Sequence, residues 1–338
     1  MGETATDTPA GILGVPQLWR LWRRTVSPSG APGAVTGTEW AADQAVIYGL
    51  GLGLHETFGC LFATRPDFAA FERWVIERNG GSIDAARIAS VNAAVARACG
   101  EAAPQSGPGV DFAAVLDEAD LRCWDENGYV VLHGAAHPED CRAAAQAIWE
   151  FLGMAPDQPE NWYGSRMCEG LMVPLVHHPA FDRNRQSPRV RNAFAQLYGT
   201  GDLHVTIDRG GFNPPECAVW TFPGPGLHWD TSLVPPLPRY FQGILYLTDT
   251  PAEQGAFQCV PGFHHRLEAW LASLPKGADP RAQDLSAEAV RIAGNAGDMV
   301  IWHGALPHGA SANRGTRPRL VQYIAYHPPN QADDRPWV

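Results

Sequence analysis

Three side chains with the chemistry of a metal site stand in two short stretches, Leu227-His-Trp-Asp230 and Pro307-His-Gly309. In an extended strand, residues i and i+2 point to the same side, so His228 and Asp230 face one point while Trp229 turns away. His308 follows 78 residues after Asp230, at the end of the apolar run Asp298-Met-Val-Ile-Trp302. That separation suits a β-barrel or sandwich in which distant strands pair. Two imidazoles and one carboxylate are the protein ligands of a facial triad, which leaves the other face of a non-haem Fe(II) open to a co-substrate and O2. An isolated His-x-Asp carries little weight, since a core-edge His beside an Asp reads the same way. The surroundings of this one add to it. Eleven residues after His308, Arg319 opens the strand-like run Arg319-Leu-Val-Gln-Tyr-Ile-Ala-Tyr326. An Arg on a neighbouring strand pairs bidentately with a carboxylate reaching in from the metal. A 2-oxoglutarate site requires that arrangement.

Three segments extend the pattern: Leu227-His-Trp-Asp230, then Gln254-Gly-Ala-Phe-Gln-Cys-Val-Pro-Gly-Phe-His264, then Gly297-Asp-Met-Val-Ile-Trp-His-Gly-Ala-Leu-Pro-His-Gly-Ala-Ser-Ala-Asn313 running on to Arg317-Pro-Arg319. Together they resemble the phytanoyl-CoA dioxygenase-like branch of the Fe(II)/2-oxoglutarate oxygenases. That family shows H-x-D, a segment ending P-G-S-H, and H-G-S-x-x-N with an Arg at this offset. All three occur here in order, over roughly residues 116–328. Phe263 stands where the family usually has Ser, and so does Ala310, so those two hydroxyls have no counterpart. The resemblance implies Fe(II) as cofactor, 2-oxoglutarate and O2 as co-substrates, His228, Asp230 and His308 as ligands and Arg319 as the carboxylate anchor. It also implies hydroxylation of an unactivated C–H bond of a small molecule, with release of succinate and CO2. Related halogenases lack the carboxylate ligand, so Asp230 favours oxidation over halogenation. Desaturation, cyclisation and epimerisation share the same ligands, and a catalytically silent jelly-roll binding protein is the reading from another class.

Other residues compete for these roles. Arg317 is an alternative anchor, on the same side of a strand as Arg319. Gln242 and Thr206 are candidate contacts to the keto acid, and Asp208 and Arg209 follow Thr206 on the strand leading into the site. For each of them an exposed strand residue is the equal alternative. His303, His264, His265, His177, His178 and His204 read as structural histidines, and Trp229, Trp302 and Tyr246 as core. The loop Asn161-Trp-Tyr-Gly-Ser-Arg166 is placed to cap the pocket.

The elements that must position these groups form an antiparallel double-sheet jelly roll with helices on one side, preceded by helices. The fold class is therefore mainly β with helices (α+β): a double-stranded β-helix, cupin-like core with an N-terminal helical extension. Residues 1–110 form the arm and extension, and residues 111–338 the oxygenase domain. Within the first part, residues 1–38 read as a loosely structured arm and Glu39–Phe62 as helical with a repeat of four. Gly49, Gly51 and Gly53 interrupt that repeat and mark close packing or a kink, since their setting is not that of a dinucleotide fingerprint. Helices are expected from Asp67 to Asn79 and over Asp84–Cys99, and residues 100–110 as a linker. The domain begins near Val115, with a strand over Tyr129–Leu132 and a helix between Pro138 and Gly153. Strands are expected at Leu171–Val176, Asp202–Asp208, Gln242–Leu247, Ala256–Val260 and Met299–Trp302, and a helix at Arg266–Leu274.

Composition narrows the function classes. A net charge of −11 argues against an extended phosphate track, hence against nucleic acid, and offers no basic cluster for a CoA thioester. No apolar run of 18 residues occurs and the first residues are acidic, so neither a membrane span nor a signal peptide is expected. Seven unpatterned cysteines point to free thiols in a reducing cytoplasm. The expected partner is a small-molecule substrate. The N-terminal helices cover one side of the barrel, close the active site or form a homodimer surface, and the sequence leaves these three roles open.

Overall fold

The computed structural model describes residues 11–26, 35–101, 111–164, 170–224 and 226–338. Among them the chain first forms α1 (Pro16–Val26), α2 (Gly37–Gly49), α3 (Leu54–Thr64), α4 (Phe68–Arg78) and α5 (Ala85–Ala98). Then follow α6 (Glu118–Asn127), β1 (Tyr129–Leu132), α7 (Pro138–Leu152), β2 (Met172–Val173), α8 (Pro179–Arg185) and α9 (Pro188–Tyr198). The strands β3 (His204–Val205), β4 (Gly210–Asn213), β5 (Phe241–Tyr246) and β6 (Phe257–Cys259) lead to α10 (Phe263–Ser273). The chain closes with β7 (Val290–Ile292), β8 (Met299–His303), β9 (His308–Ala310), β10 (Arg319–Tyr323) and β11 (Tyr326–His327).

Two compact units result. The first comprises residues up to Asp111 with the later segments Asp202–Ile207 and His327–Arg335, and the second takes the rest. The sequence reading had assigned both later segments to the jelly roll. In the first unit, Leu18, Leu21, Val46, Ile47, Phe71, Val75 and Val91 form one core. The expected loose arm is a helix over Pro16–Val26, because Leu18 and Leu21 recur on one face and bury there. Its basic-aromatic stretch packs on this unit: Trp22 Nε1 donates to Pro66 O at 2.8 Å, and Arg24 pairs with Asp43. The Gly49–Gly53 stretch is both a close approach and a kink. A Cβ on Gly49 would lie 2.8 Å from Val91 Cγ2, Gly51 takes a φ of +69°, and α2 and α3 meet at 100°. No single helix among the described residues is long and apolar enough to cross a membrane. Side chains of Asp67 and Asp84 cap α4 and α5, which is why those starts read correctly from sequence.

The second unit holds two antiparallel sheets. The larger has the order β1-β8-β5-β10-β4-β2, and the smaller β7-β6-β9. Gln242 pairs with Trp302, Ile244 with Val300, and Tyr323 with Ile244. Alternation then turns Gln242, Ile244 and Tyr246 of β5, Val300 and Trp302 of β8, and Arg319, Val321 and Tyr323 of β10 to one face. Most of their apolar members join Phe257, Cys259, Phe263 and Leu267 in the core between the sheets. The opposite face of the large sheet meets helices: a Cβ on Gly243 would lie 3.1 Å from Phe194 Cζ of α9, and one on Gly210 would press on Ile148 of α7 and Phe181 of α8. Burial on both faces explains why β8 reads as an unbroken apolar run. The helices α6, α8 and α9 and the strands β4 and β7 were not anticipated, and the expected strand at Leu171–Val176 is only two residues long. The linker at residues 102–110 and the tip of the Asn161–Arg166 loop at residues 165 and 166 lie outside the described residues.

Candidate metal centre

His308 opens β9, where Cys259 of β6 is its partner. On its other side His308 forms an isolated antiparallel bridge with His228. The two residues exchange backbone hydrogen bonds, His228 N to His308 O at 2.9 Å and His308 N to His228 O at 3.0 Å. They are thus directly opposed across two strands, and their rings stand 4.8 Å apart. The bridge needs a glycine beside it, because a Cβ on Gly309 would sit 1.9 Å from Gly226 O. Two residues on from His228, Asp230 returns to the same side. One donor atom from each of His228, Asp230 and His308 lies within 4.8 Å of the others, a set able to hold a metal ion. Trp229 turns away as expected and is pinned in the core, its Nε1 donating to Ala305 O at 3.0 Å. Phe263, the residue at a usual serine position, packs against Trp229 with ring centroids 5.9 Å apart, so the lost hydroxyl is replaced by apolar support under the ligand strand.

The three groups are prepared for a cation. His308 Nδ1 donates to Leu306 O at 3.0 Å, which leaves Nε2 with its lone pair, 3.3 Å from Asp230 Oδ2. Burial, and then the His308 imidazole, holds His228 below its ordinary value despite Asp230, so the neutral ligand form prevails at neutral pH. Burial alone would raise the Asp230 carboxyl. The close approach of His308, the hydrogen bond donated by the Gln242 amide and then the nearness of His228 outweigh it and hold the group well below the usual carboxylate range. His308 is 3% exposed and Asp230 47%, so the triad is closed on the His308 side and open on the Asp230 side.

The other candidates separate cleanly. Arg319 is fully buried, and Nε, Nη1 and Nη2 have no hydrogen-bond partner among the described residues. It lies on the same face of β10 as Val321 and Tyr323. Arg317 is exposed. The Asn313 side chain explains the difference between the two arginines. Its Nδ2 donates to Asn213 O and Arg317 O, both at 2.8 Å, and its Oδ1 accepts from Gly315 N at 2.9 Å. That turn delivers Arg319 into the sheet. Gln242 Nε2 donates to Asp230 Oδ2 at 2.7 Å, so its amide holds the carboxylate, a partner the sequence reading did not name, while Oε1 stays buried without a partner. Thr206 is buried in the first unit. Asp208 Oδ1 accepts from Arg209 N at 2.7 Å, and Arg209 O accepts from Tyr323 N at 3.2 Å.

The remaining histidines have structural partners. His303 Nδ1 accepts from Ala305 N at 3.0 Å, and burial pushes the ring down to about 4. His264 and His265 both donate from Nε2 to Asp125 O, at 3.1 and 2.6 Å. His178 Nδ1 caps α8, and His204 stacks on Tyr48 in the first unit.

A cluster of two imidazoles and a carboxylate, with a buried guanidinium that has no hydrogen-bond partner among the described residues, fits iron and a dicarboxylate co-substrate. The donor set matches Fe(II) with open positions, and a buried cation without a partner calls for an anion. A Dictyostelium discoideum relative carrying the phytanoyl-CoA dioxygenase name is 22% identical over 258 residues, 61% of this chain and 74% of its own. An ectoine dioxygenase of Bordetella bronchiseptica is 22% identical over 244 residues, 64% of this chain and 77% of its own. Among solved structures, AviO1 from Streptomyces viridochromogenes Tue57 aligns with a TM-score of 0.47 at 21% identity, over 66% of this chain and all of that one. The SnoN epimerase of nogalamycin biosynthesis aligns with a TM-score of 0.45 at 20% identity, over 62% and 82%. The phytanoyl-CoA dioxygenase (PhyH) family matches residues 124–321, from the end of α6 through β10, and the chain belongs to that family of Fe(II)- and 2-oxoglutarate-dependent oxygenases.

Proposed function

We propose that this enzyme hydroxylates an unactivated C–H bond of a small-molecule substrate, with His228, Asp230 and His308 holding Fe(II) and Arg319 pairing with the far carboxylate of 2-oxoglutarate. The observation that carries the reading is the Arg319 guanidinium, fully buried and without a hydrogen-bond partner. Leaving such a charge unpaired costs several kcal/mol, roughly, and a silent scaffold would have no reason to keep it. When bound, the iron, the keto acid and O2 supply the oxidising power, and succinate and CO2 are released.

The chain's own residues bind, orient and shield. The Leu306 carbonyl fixes the His308 ring, and Gln242 fixes the Asp230 carboxylate. Phe257 and Trp302 close the inner side, their rings 6.2 and 5.0 Å from His308. Access is from the side of Asp230, whose side chain is the exposed member of the triad. A buffer of cytoplasmic character, reducing and iron-bearing, suits these groups.

Anaerobic titration of the apoprotein with Fe(II) and 2-oxoglutarate tests the site. We expect a visible metal-to-ligand charge-transfer band that is lost in His308→Ala and weakened in Arg319→Ala. Metal binding without a band would refute the keto-acid assignment, and no metal binding would refute the triad. Product analysis after succinate-release screening then separates hydroxylation from desaturation, cyclisation and epimerisation.

A further inference from the structure

We infer that Arg281, together with the segment Pro336–Val338, is a positioning device for the metal centre that sets the path of the chain through Asp230. The inference rests on reading His228, Asp230 and His308 as metal ligands.

Asp230 has a problem that the two histidines do not share. His228 and His308 are held by their mutual bridge, but the chain leaves strand geometry after His228, and Asp230 lies in a bend. Among the described residues, no strand ladder runs through Asp230. The Arg281 side chain reaches the peptide groups on both sides of it. Arg281 Nη1 donates to Trp229 O at 2.8 Å, and Nη2 donates to Thr231 O at 2.7 Å. These are the carbonyls of the residues immediately before and after Asp230. A planar guanidinium spans two such acceptors in one fixed geometry, which an ammonium cannot do.

Arg281 is in turn held. It lies in the short helical turn Pro280–Ala282, where the Asp279 carboxylate accepts from Arg281 N at 2.8 Å and Pro280 fixes the backbone entry. Nη2 also donates to Val338 O at 2.8 Å, and the Trp337 ring lies 4.6 Å from the guanidinium carbon. The same tail segment runs beside the ligand loop. Leu233 N donates to Val338 O at 3.2 Å, and Ser232 Oγ to Pro336 O at 2.5 Å. Arg281 thus locks the Asp230 loop from one side and takes its own orientation from the tail on the other.

Electrostatics points the opposite way, which makes the idea testable. The Arg281 charge is felt at both His228 and Asp230. A fixed positive charge near a cation site opposes metal binding. Removing it should strengthen binding if charge were its only influence, and should weaken binding if it positions Asp230.

The experiment titrates cobalt(II) alone into anaerobic apoprotein and follows its d–d absorption, for wild type, Arg281→Gln, Arg281→Lys and Trp337→Ala. Apoprotein melting in chelator runs alongside. We expect affinity to fall about 10- to 100-fold in Arg281→Gln, the range seen when outer-shell partners of metal ligands are removed. Trp337→Ala, which keeps the charge and the fork but loses the stack, should fall by a smaller factor, and Arg281→Lys should not restore wild-type affinity. Melting of the apoproteins should stay within about 4 °C of wild type, the shift expected for roughly 1 kcal/mol in a domain of this size. Should Arg281→Gln not fold, Trp337→Ala and Arg281→Lys carry the test. Cobalt affinity equal to or above wild type in the folded variants overturns the inference while leaving the metal site intact. Absence of cobalt binding by wild type overturns both this inference and the reading on which it rests.

Discussion

Replacing Arg319 by Met should stabilise the ligand-free protein and abolish 2-oxoglutarate binding at the same time. The side chain is fully buried, and its three guanidinium nitrogens have no hydrogen-bond partner. An uncompensated buried charge of this kind is worth about 3–5 kcal/mol of destabilisation. Methionine fills much of the same volume with no charge, and imperfect packing returns about 1 kcal/mol of that gain. The net is about 2–4 kcal/mol, and at about 2–4 °C per kcal/mol for a domain of this size the melting temperature should rise by about 4–16 °C. Ligand narrows the gap. At a 2-oxoglutarate concentration of about 100 Kd, with a redox-inert divalent metal present, wild type gains about 2.7 kcal/mol and the variant gains nothing from the keto acid. Differential scanning fluorimetry in chelator, and again with metal and 2-oxoglutarate, reads both halves. A ligand-free Arg319→Met that melts below wild type would refute the claim that the guanidinium waits for an anion. An undiminished 2-oxoglutarate shift in the variant would refute its assignment as anchor.

Three further outcomes are expected. Gln242→Ala removes the 2.7 Å hydrogen bond to Asp230 Oδ2, and metal affinity should fall by about 10-fold or more; unchanged affinity by cobalt titration would show that the amide is incidental. Gly309→Ala places a Cβ 1.9 Å from Gly226 O, so the bridge joining His228 to His308 must open. A stability loss of about 1–3 kcal/mol should accompany weakened metal binding, and a variant indistinguishable from wild type would contradict the packing described. In the first unit, burial holds His204 down at about 4, below the ordinary 6.5. Its folded value is depressed, so the unfolded chain takes up the proton first; this stability is fully present above 6.5 and is lost as pH falls from there towards 4. The loss is on the order of 3 kcal/mol, and His204→Phe, which keeps a ring against Tyr48, should flatten the dependence of melting temperature on pH across that window. Parallel curves for the two proteins would refute it.

Much of the fold was legible where local chemistry carried the signal. Asp67 and Asp84 announced helices because a carboxylate there accepts from backbone N–H groups, and Pro138 and Gly153 bracketed another. The helix α9 carried the same punctuation, Ser187 and Pro188 at its start and Gly199 at its end, and went unread because its run of apolar residues is short. The strand β4 was hidden for a different reason. Gly210 and Gly211 have poor strand propensity, yet Cβ atoms at those positions would press on Ile148, Phe181 and Val321. Close approach demanded the residues that make a strand look like a loop. Asp202–Ile207 was misassigned for want of any local cue, since which unit a short apolar segment joins is a matter of long-range packing.

The site shows the same division between side chains and what holds them. Residues that must contact a metal or a carboxylate are restricted in type and, on strands, in spacing, so His228, Asp230, His308 and Arg319 stood out in the chain. Arg317 and Arg319 could be separated only by burial, because Asn313 shapes the turn that exposes one and inserts the other. Gln242 was read as a contact to the keto acid because a strand residue facing the site can reach it, and its 2.7 Å hydrogen bond to Asp230 is a partner that position along the chain does not reveal. Arg281 was not legible at all. Its partners are the carbonyls of Trp229, Thr231 and Val338, and every residue has a carbonyl, so nothing at those positions marks them as acceptors. A residue that organises a site through the backbone leaves its trace only on itself, as an arginine in a short turn far along the chain. Such residues have to be sought from the peptide groups next to each ligand outward, and here that path leads from Asp230 to one guanidinium.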